Sequence, residues 1–158
     1  MGDRILTVLQ PLVLHVQSLA IRLLRGTTLG VRVVVSDGKT VLLVRHTYVP
    51  GWYFPGGGVN PGETVLEAVG RELREETGRA LAGPPRLHGI FFNRQMARRD
   101  HVLLYRADAW HEASAFVPNH EIAEARFFPL DALPATITTA TRARLAELFD
   151  GAEPSSDW

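Results

Sequence analysis

The sequence predicts an α/β domain preceded by an additional helix. Three observations carry this expectation. Short runs rich in β-branched residues are separated by turn signals from residue 29 onward. An amphipathic stretch begins at Thr64 with a capping signal and stops at Gly78. A second helical pattern starts at Thr138. At 158 residues the chain can bury one core but not two of full size. The expected division is a helix over 1–26, a folded domain over 27–150 and a flexible tail over 151–158.

Taken in order, the first unit places Leu6, Leu9, Val13, Val16, Ala20 and Leu24 at three- and four-residue spacings, which reads as a helix. Pro11 kinks it or marks its true start. His15, Gln17, Arg22 and Arg25 interrupt the apolar run, which argues against a membrane span or a signal peptide. The apolar stripe needs cover. Packing on the domain, a homodimer contact through this helix, and attachment to a membrane surface are the alternatives.

Residues 29–35 form a strand containing Val31, Val33, Val34 and Val35. Ser36-Asp37-Gly38-Lys39 is a turn signal, and 41–45 is read as the returning strand of a hairpin. Pro50 and Gly51 mark a loop that runs through Trp52, Tyr53 and Phe54 into Gly56, Gly57 and Gly58. Glycines there let the backbone approach a ligand closely.

The next helix starts at Thr64, with Glu67 completing a capping box. Leu66, Val69 and Leu73 are its expected buried stripe, and Gly70 is expected to pack tightly on the sheet. Residues 87–93 and 101–107 read as strands around a basic tip containing Arg94, Arg98 and Arg99. Residues 110–120 read as a polar loop, 125–128 as a short strand, and the segment after Thr138 as the last helix.

Composition narrows the function. Seventeen basic residues cancel 17 acidic ones, so no stable nucleic-acid partner is expected. The absence of cysteine excludes disulfides, thiolate metal sites and cysteine nucleophiles. It fits a cytoplasmic enzyme with no transmembrane segment.

The anomaly is in the first capped helix. Glu72, Glu75 and Glu76 fall within little more than one turn, where i, i+3 and i+4 share a face. At about 6 Å and an effective dielectric of about 20, each pair repels by roughly 3 kcal/mol. The helix C-terminus adds an unfavourable dipole. A hard divalent cation would relieve this crowding, since Mg²⁺ seeks carboxylate and water oxygens.

At residues 57–79 the chain resembles the Nudix hydrolase family. The family box reads G-x(5)-E-x(7)-R-E-U-x-E-E-x-G-U, with U a bulky aliphatic residue. Gly57, Glu63, Arg71, Glu72, Leu73, Glu75, Glu76 and Gly78 fall in register; Arg79 departs, where an aliphatic residue is expected. The resemblance extends more loosely over 29–148 and implies the family's α/β/α sandwich with a mixed sheet. It implies that Glu72, Glu75 and Glu76 ligate metal together with the Gly56 carbonyl. Glu63 would be an outer or secondary metal group, and Arg71 would hold a box glutamate in place.

The implied cofactor is Mg²⁺, with Mn²⁺ as a substitute, and the implied substrate is a small nucleotide. The implied reaction is hydrolysis of a nucleoside diphosphate linked to another group. A divalent cation neutralises the anionic oxygens of a pyrophosphate and acidifies water, and a glutamate then takes the proton. Glu121 is the preferred base outside the box, with Glu124 the other loop candidate. Arg94, Arg98 and Arg99 are candidate phosphate clamps, set against a solvated hairpin tip. Arg45 is a candidate substrate group or a surface ion pair, and Trp52 a base-stacking platform or a core residue. Nucleotide sugars, nucleoside triphosphates and dinucleoside polyphosphates all fit. A non-catalytic nucleotide sensor and an RNA 5′-end pyrophosphohydrolase are the competing readings.

Overall fold

The computed structural model describes residues 27–94 and 100–158. The expected N-terminal helix over 1–26, its homodimer contact, and Arg98 and Arg99 at the basic tip lie outside the described residues.

Strand β1 (Thr28–Val35) runs through the middle of the domain. Alternation along a strand sends neighbouring side chains to opposite faces. Val31, Val33 and Val35 therefore pack on one side with Ala68, Val69 and Leu73 of helix α1 (Val65–Thr77). Val34 packs on the other side with Phe54, Leu104 and Leu145, the last from helix α2 (Thr139–Phe149). Strand β2 (Thr40–His46) divides likewise, with Leu42 toward α1 and Val41 and Leu43 toward α2. A helix on each face of a mixed sheet is the expected sandwich.

Strand β5 (Asp100–Ala107) runs parallel to β1 and antiparallel to β4 (Arg86–Phe92). Strand β7 (Ile122–Pro129) pairs antiparallel with β2. A small antiparallel pair, β3 (Arg79–Leu81) with β6 (Trp110–Glu112), follows α1. Its β6 falls inside the expected polar loop over 110–120. Trp110 is drawn in by stacking on Phe127 at 5.0 Å.

The expected β1–β2 hairpin is corrected. Its turn does form: Asp37 Oδ1 accepts from the amides of Lys39 and Thr40 at 2.9 and 2.7 Å. Ser36 still bridges Val41. Beyond that point the strands part, because segment 52–59 lies between them. Val31 and Val33 amides donate to the Gly57 and Pro55 carbonyls at 2.8 and 2.9 Å, and Val59 N donates to Leu29 O at 3.0 Å. On the other side Tyr53 exchanges two backbone bonds of 2.9 Å with Val44. Both strands have neighbours on both edges, which suits their nearly continuous apolar runs. The glycine loop is thereby tied to the most buried strand.

Helix α1 starts as expected. Thr64 accepts from Glu67 N, and Glu67 in turn accepts from Thr64 N at 2.8 Å, a complete capping box. Gly78 ends the helix in the left-handed region at φ 69°. Its buried stripe is displaced from the expected one. Leu66 is half exposed, whereas Ala68, Val69, Leu73, Glu76 and Thr77 are buried. Gly70 faces open space, since an added Cβ would meet nothing within 4 Å. The arc through Val69, Leu73 and Glu76 faces inward, and this rotation is what takes a glutamate into the core.

The terminal residues expected to fray lie against the domain. Phe92 N donates to Ser156 O at 2.8 Å, and Trp158 N donates to Phe92 O at 3.0 Å. The Trp158 ring meets Phe91 edge-on at 5.7 Å. The tail thus bridges the Phe92 end of β4, covering that end of the strand edge.

Candidate active site

The site forms where the glycine loop crosses the last turns of α1. Gly56 has φ +142°, and a Cβ there would lie 2.1 Å from the Val31 carbonyl. Only glycine lets the loop cross β1 at this height. A Cβ on Gly57 would stand 2.5 Å from Glu72 Oε1. Gly57 thus leaves room for the Glu72 carboxylate, while Gly56 lets the loop lie against β1 with its amide turned to Glu76. Gly56 N donates to Glu76 Oε2 at 2.8 Å.

Glu76 is 4% exposed. Burial pushes its carboxyl up to about 8, against the opposing effects of the Gly56 amide and the Arg32 charge. Glu72 is raised by burial too, with Arg71 pulling the other way. Glu76 resists ionisation the more strongly of the two, since Glu72 is ion-paired with Arg71.

Arg71 organises the adjoining acids. Its Nε and Nη2 donate to the two oxygens of Glu63 at 2.7 and 2.9 Å, a bidentate pair. Its Nη1 donates to Glu72 Oε1 at 2.7 Å and to Glu75 Oε2 at 3.2 Å, and Nη2 reaches Gly58 O at 3.0 Å. One guanidinium thus ties three carboxylates to the loop. The Arg71 bonds, aided by the Asn60 amide, hold the Glu63 carboxyl down at about 2. Both Glu63 oxygens are engaged by Arg71. Glu75 is the most exposed of the set.

The opposite wall comes from the loop before β7. Asn119 Oδ1 accepts the amides of Glu121 and Ile122, each at 2.8 Å, and Thr47 N donates to Glu121 O at 2.9 Å. These bonds bring Glu121 to Glu76. One donor atom each from His46, Glu76 and Glu121 lies within 4.8 Å of the others. His46 packs between Tyr48 and Tyr53, both at 5.3 Å between centroids. Burial and the Arg32 charge lower its pKa, with Glu121 opposing.

Arg32 connects this wall to a cleft of about 900 Å³. It falls on the α2 face of β1, where its Nη1 donates to Gly56 O at 2.6 Å and Phe54 O at 3.0 Å. The cleft runs from Arg32 and Tyr53 past Thr138 and Thr141 at the start of α2 to Asp157 and Trp158 of the tail. Sequence reading missed Arg32. Its signal was present, as a lone cation at a core-alternating position within a valine run.

Several expected substrate residues are placed elsewhere. Trp52 is a core residue, edge-on to Phe128 at 4.7 Å, so its ring offers no stacking face to a base. Arg45 stands opposite Glu124 across β2 and β7 and is ion-paired with it. That pair holds the Glu124 carboxyl low and leaves Glu121 as the loop acid at the site. Arg94 pairs with Asp157 at 2.8 Å and lies over Phe92, so it latches the tail.

The NUDIX domain family profile matches residues 26–149. The chain is 36% identical over 121 residues to the NAD-capped RNA hydrolase NudC of Stutzerimonas stutzeri, covering 74% of this chain and 42% of that protein. It is 49% identical over 49 residues to an RNA pyrophosphohydrolase of Xanthomonas campestris, covering 31% and 23% of the two chains. The chain thus spans less than half the length of these curated relatives. A MutT NUDIX hydrolase from Burkholderia pseudomallei superposes with a TM-score of 0.66 at 28% identity, covering 77% of this chain and 97% of that one. Among the described residues no helix is long and apolar enough to cross a membrane.

Proposed function

Starting from a chain that belongs to the Nudix family, we propose a divalent-metal-dependent pyrophosphohydrolase that cleaves a nucleoside diphosphate linked to another group. The observation that carries this reading is the pairing of Glu72 and Glu76 against the bare backbone of Gly56 and Gly57, braced by Arg71. A buried Glu76 and a partly buried Glu72, both with carboxyls raised by burial, make a site that fits a cation. The donor set is dominated by oxygen, which suits Mg²⁺ or Mn²⁺. Glu72, Glu76 and the Gly56 carbonyl would hold the ion, with Glu75 at the exposed rim.

When bound, the cation supplies charge neutralisation at the phosphoryl oxygens and acidifies water. The chain's own residues do the rest. Arg71 fixes Glu72 and Glu75, and Glu63 fixes Arg71. Arg32, at the mouth of the cleft, orients an anionic phosphoryl oxygen while the nucleoside occupies the space beside α2. Glu121 takes the proton of the attacking water. The new oxygen–phosphorus bond forms as the anhydride bond breaks, and the leaving phosphate carries away the electron pair.

Nucleotide sugars, nucleoside triphosphates and dinucleoside polyphosphates remain the substrate classes. RNA 5′ ends form a second reading, favoured by the likeness to the NAD-capped RNA hydrolase over 74% of the chain. A nucleotide sensor is the weaker alternative, because the box carboxylates are all present. A panel of these compounds with Mg²⁺ or Mn²⁺, followed by assay of phosphate, pyrophosphate and mononucleotide release, separates them. Binding without release of any product would favour the sensor.

A further inference from the structure

We propose that His46 contributes a nitrogen ligand to a cation held between Glu76 and Glu121. The inference rests on the metal-binding reading of Glu76, adds a donor of different chemistry, and describes the substrate-free protein, before Glu121 is needed as a base. One ring nitrogen of His46 and one carboxylate oxygen from each glutamate lie within 4.8 Å of one another. Donors at about 2.1 Å from an octahedral ion lie about 3 Å apart when adjacent and about 4.2 Å apart when opposite. The cluster therefore needs only small side-chain movements to close on an ion.

The second observation concerns the imidazole itself. His46 is 6% exposed, and its Nδ1 is buried with no hydrogen-bond partner. A buried polar atom without a partner costs about 1–3 kcal/mol. The ring is held in place nonetheless, packed between Tyr48 and Tyr53 at the end of β2. Glu121 is held by Asn119 and by Thr47, the neighbour of His46, and His46 is in register with Ile122, so the β2–β7 pairing fixes the histidine and the glutamate side by side. A nitrogen donor favours Mn²⁺ and Co²⁺ over Mg²⁺, whose preference for oxygen is stronger.

The test is spectroscopic. Mn²⁺ or Co²⁺ is added to the purified chain without substrate, and pulsed electron paramagnetic resonance reads nitrogen coupling to the bound ion. The expected result is coupling to one imidazole nitrogen, lost in His46→Gln while the ion still binds. Mn²⁺ affinity should fall about tenfold in that variant, with Mg²⁺ affinity changing far less. An ion that binds the unmodified chain with no nitrogen coupling overturns the proposal, whatever the variant does. Failure of the ion to bind at all would instead reject the metal-dependent reading on which it rests.

Discussion

Replacing Glu76 with Gln should stabilise the metal-free protein while abolishing its metal response. The carboxyl is raised from 4.5 to about 8, chiefly by burial. With a folded pKa above the unfolded one, stability is greatest below pH 4.5 and falls as pH rises toward 8. At about 1.4 kcal/mol per unit, the raised Glu76 carboxyl costs on the order of 3 kcal/mol at pH 7, where it still holds its proton, and about 5 kcal/mol at pH 9, where it is ionised. Gln can still accept the Gly56 amide, but its NH₂ needs a partner, at a cost of about 1–3 kcal/mol if it finds none. The net expectation at pH 8 is a gain of about 1–3 kcal/mol, or roughly 2–12 °C in Tm. Melting curves in EDTA across pH 5–9 should therefore slope downward for the unmodified chain and be flatter for the variant. Mg²⁺ at a hundredfold excess over Kd should stabilise the unmodified chain by about 2.7 kcal/mol and leave the variant unmoved. A variant that is less stable than the parent at pH 8 and still gains Tm from Mg²⁺ would refute the assignment of Glu76 as a buried ligand.

Other outcomes follow from the same geometry. The Glu63 carboxyl, held near 2 by Arg71, contributes stability that is present above pH 4.5 and lost as pH falls through 2; urea midpoints of the parent and Glu63→Gln should differ at pH 5 and converge near pH 2. Arg71→Ala removes the bonds that hold Glu72 and Glu75 in place, so calorimetric titration should show metal affinity falling about 10–100-fold despite the lost counter-charge. Arg32→Gln should lower kcat/KM by about 10–100-fold and also shift Mg²⁺ affinity, since Arg32 bonds the Gly56 carbonyl that would hold the ion. Trp158→Ala removes a half-buried ring from Phe91 and should cost about 1–2 kcal/mol in chemical denaturation, with a higher KM if the tail walls the cleft.

The capped helix was legible because its signals are local. Thr64, Glu67 and Gly78 each act within a few residues, and the structure places all three as expected. The box glutamates were legible from their unfavourable crowding. What local patterning could not supply was pairing between distant segments. A turn at Asp37 is consistent with a hairpin, but the insertion of 52–59 depends on Val31, Val33 and Val44 finding backbone partners far along the chain. The same limit hid the orientation of α1: Leu66 fits the helical period as well as Glu76 does, and only the glycine loop above Glu76 decides which turns inward. Arg45 and Trp52 were ambiguous for a related reason. Their side-chain types suit a substrate, yet Glu124 and Phe128 across the sheet claim them first. Trp158 shows the converse, since terminal position suggested fraying while the β4 edge supplied a docking place.

The central claim is that this site uses metal and water to break a phosphoric anhydride. Its most direct measurement is turnover of the nucleotide panel in water enriched in heavy oxygen, with Mg²⁺ or with EDTA, and product analysis by mass spectrometry. The account predicts metal-dependent cleavage of at least one member, with one heavy oxygen carried into a phosphate product. Recovery of every nucleotide intact, from a folded protein that demonstrably binds both nucleotide and metal, would contradict it.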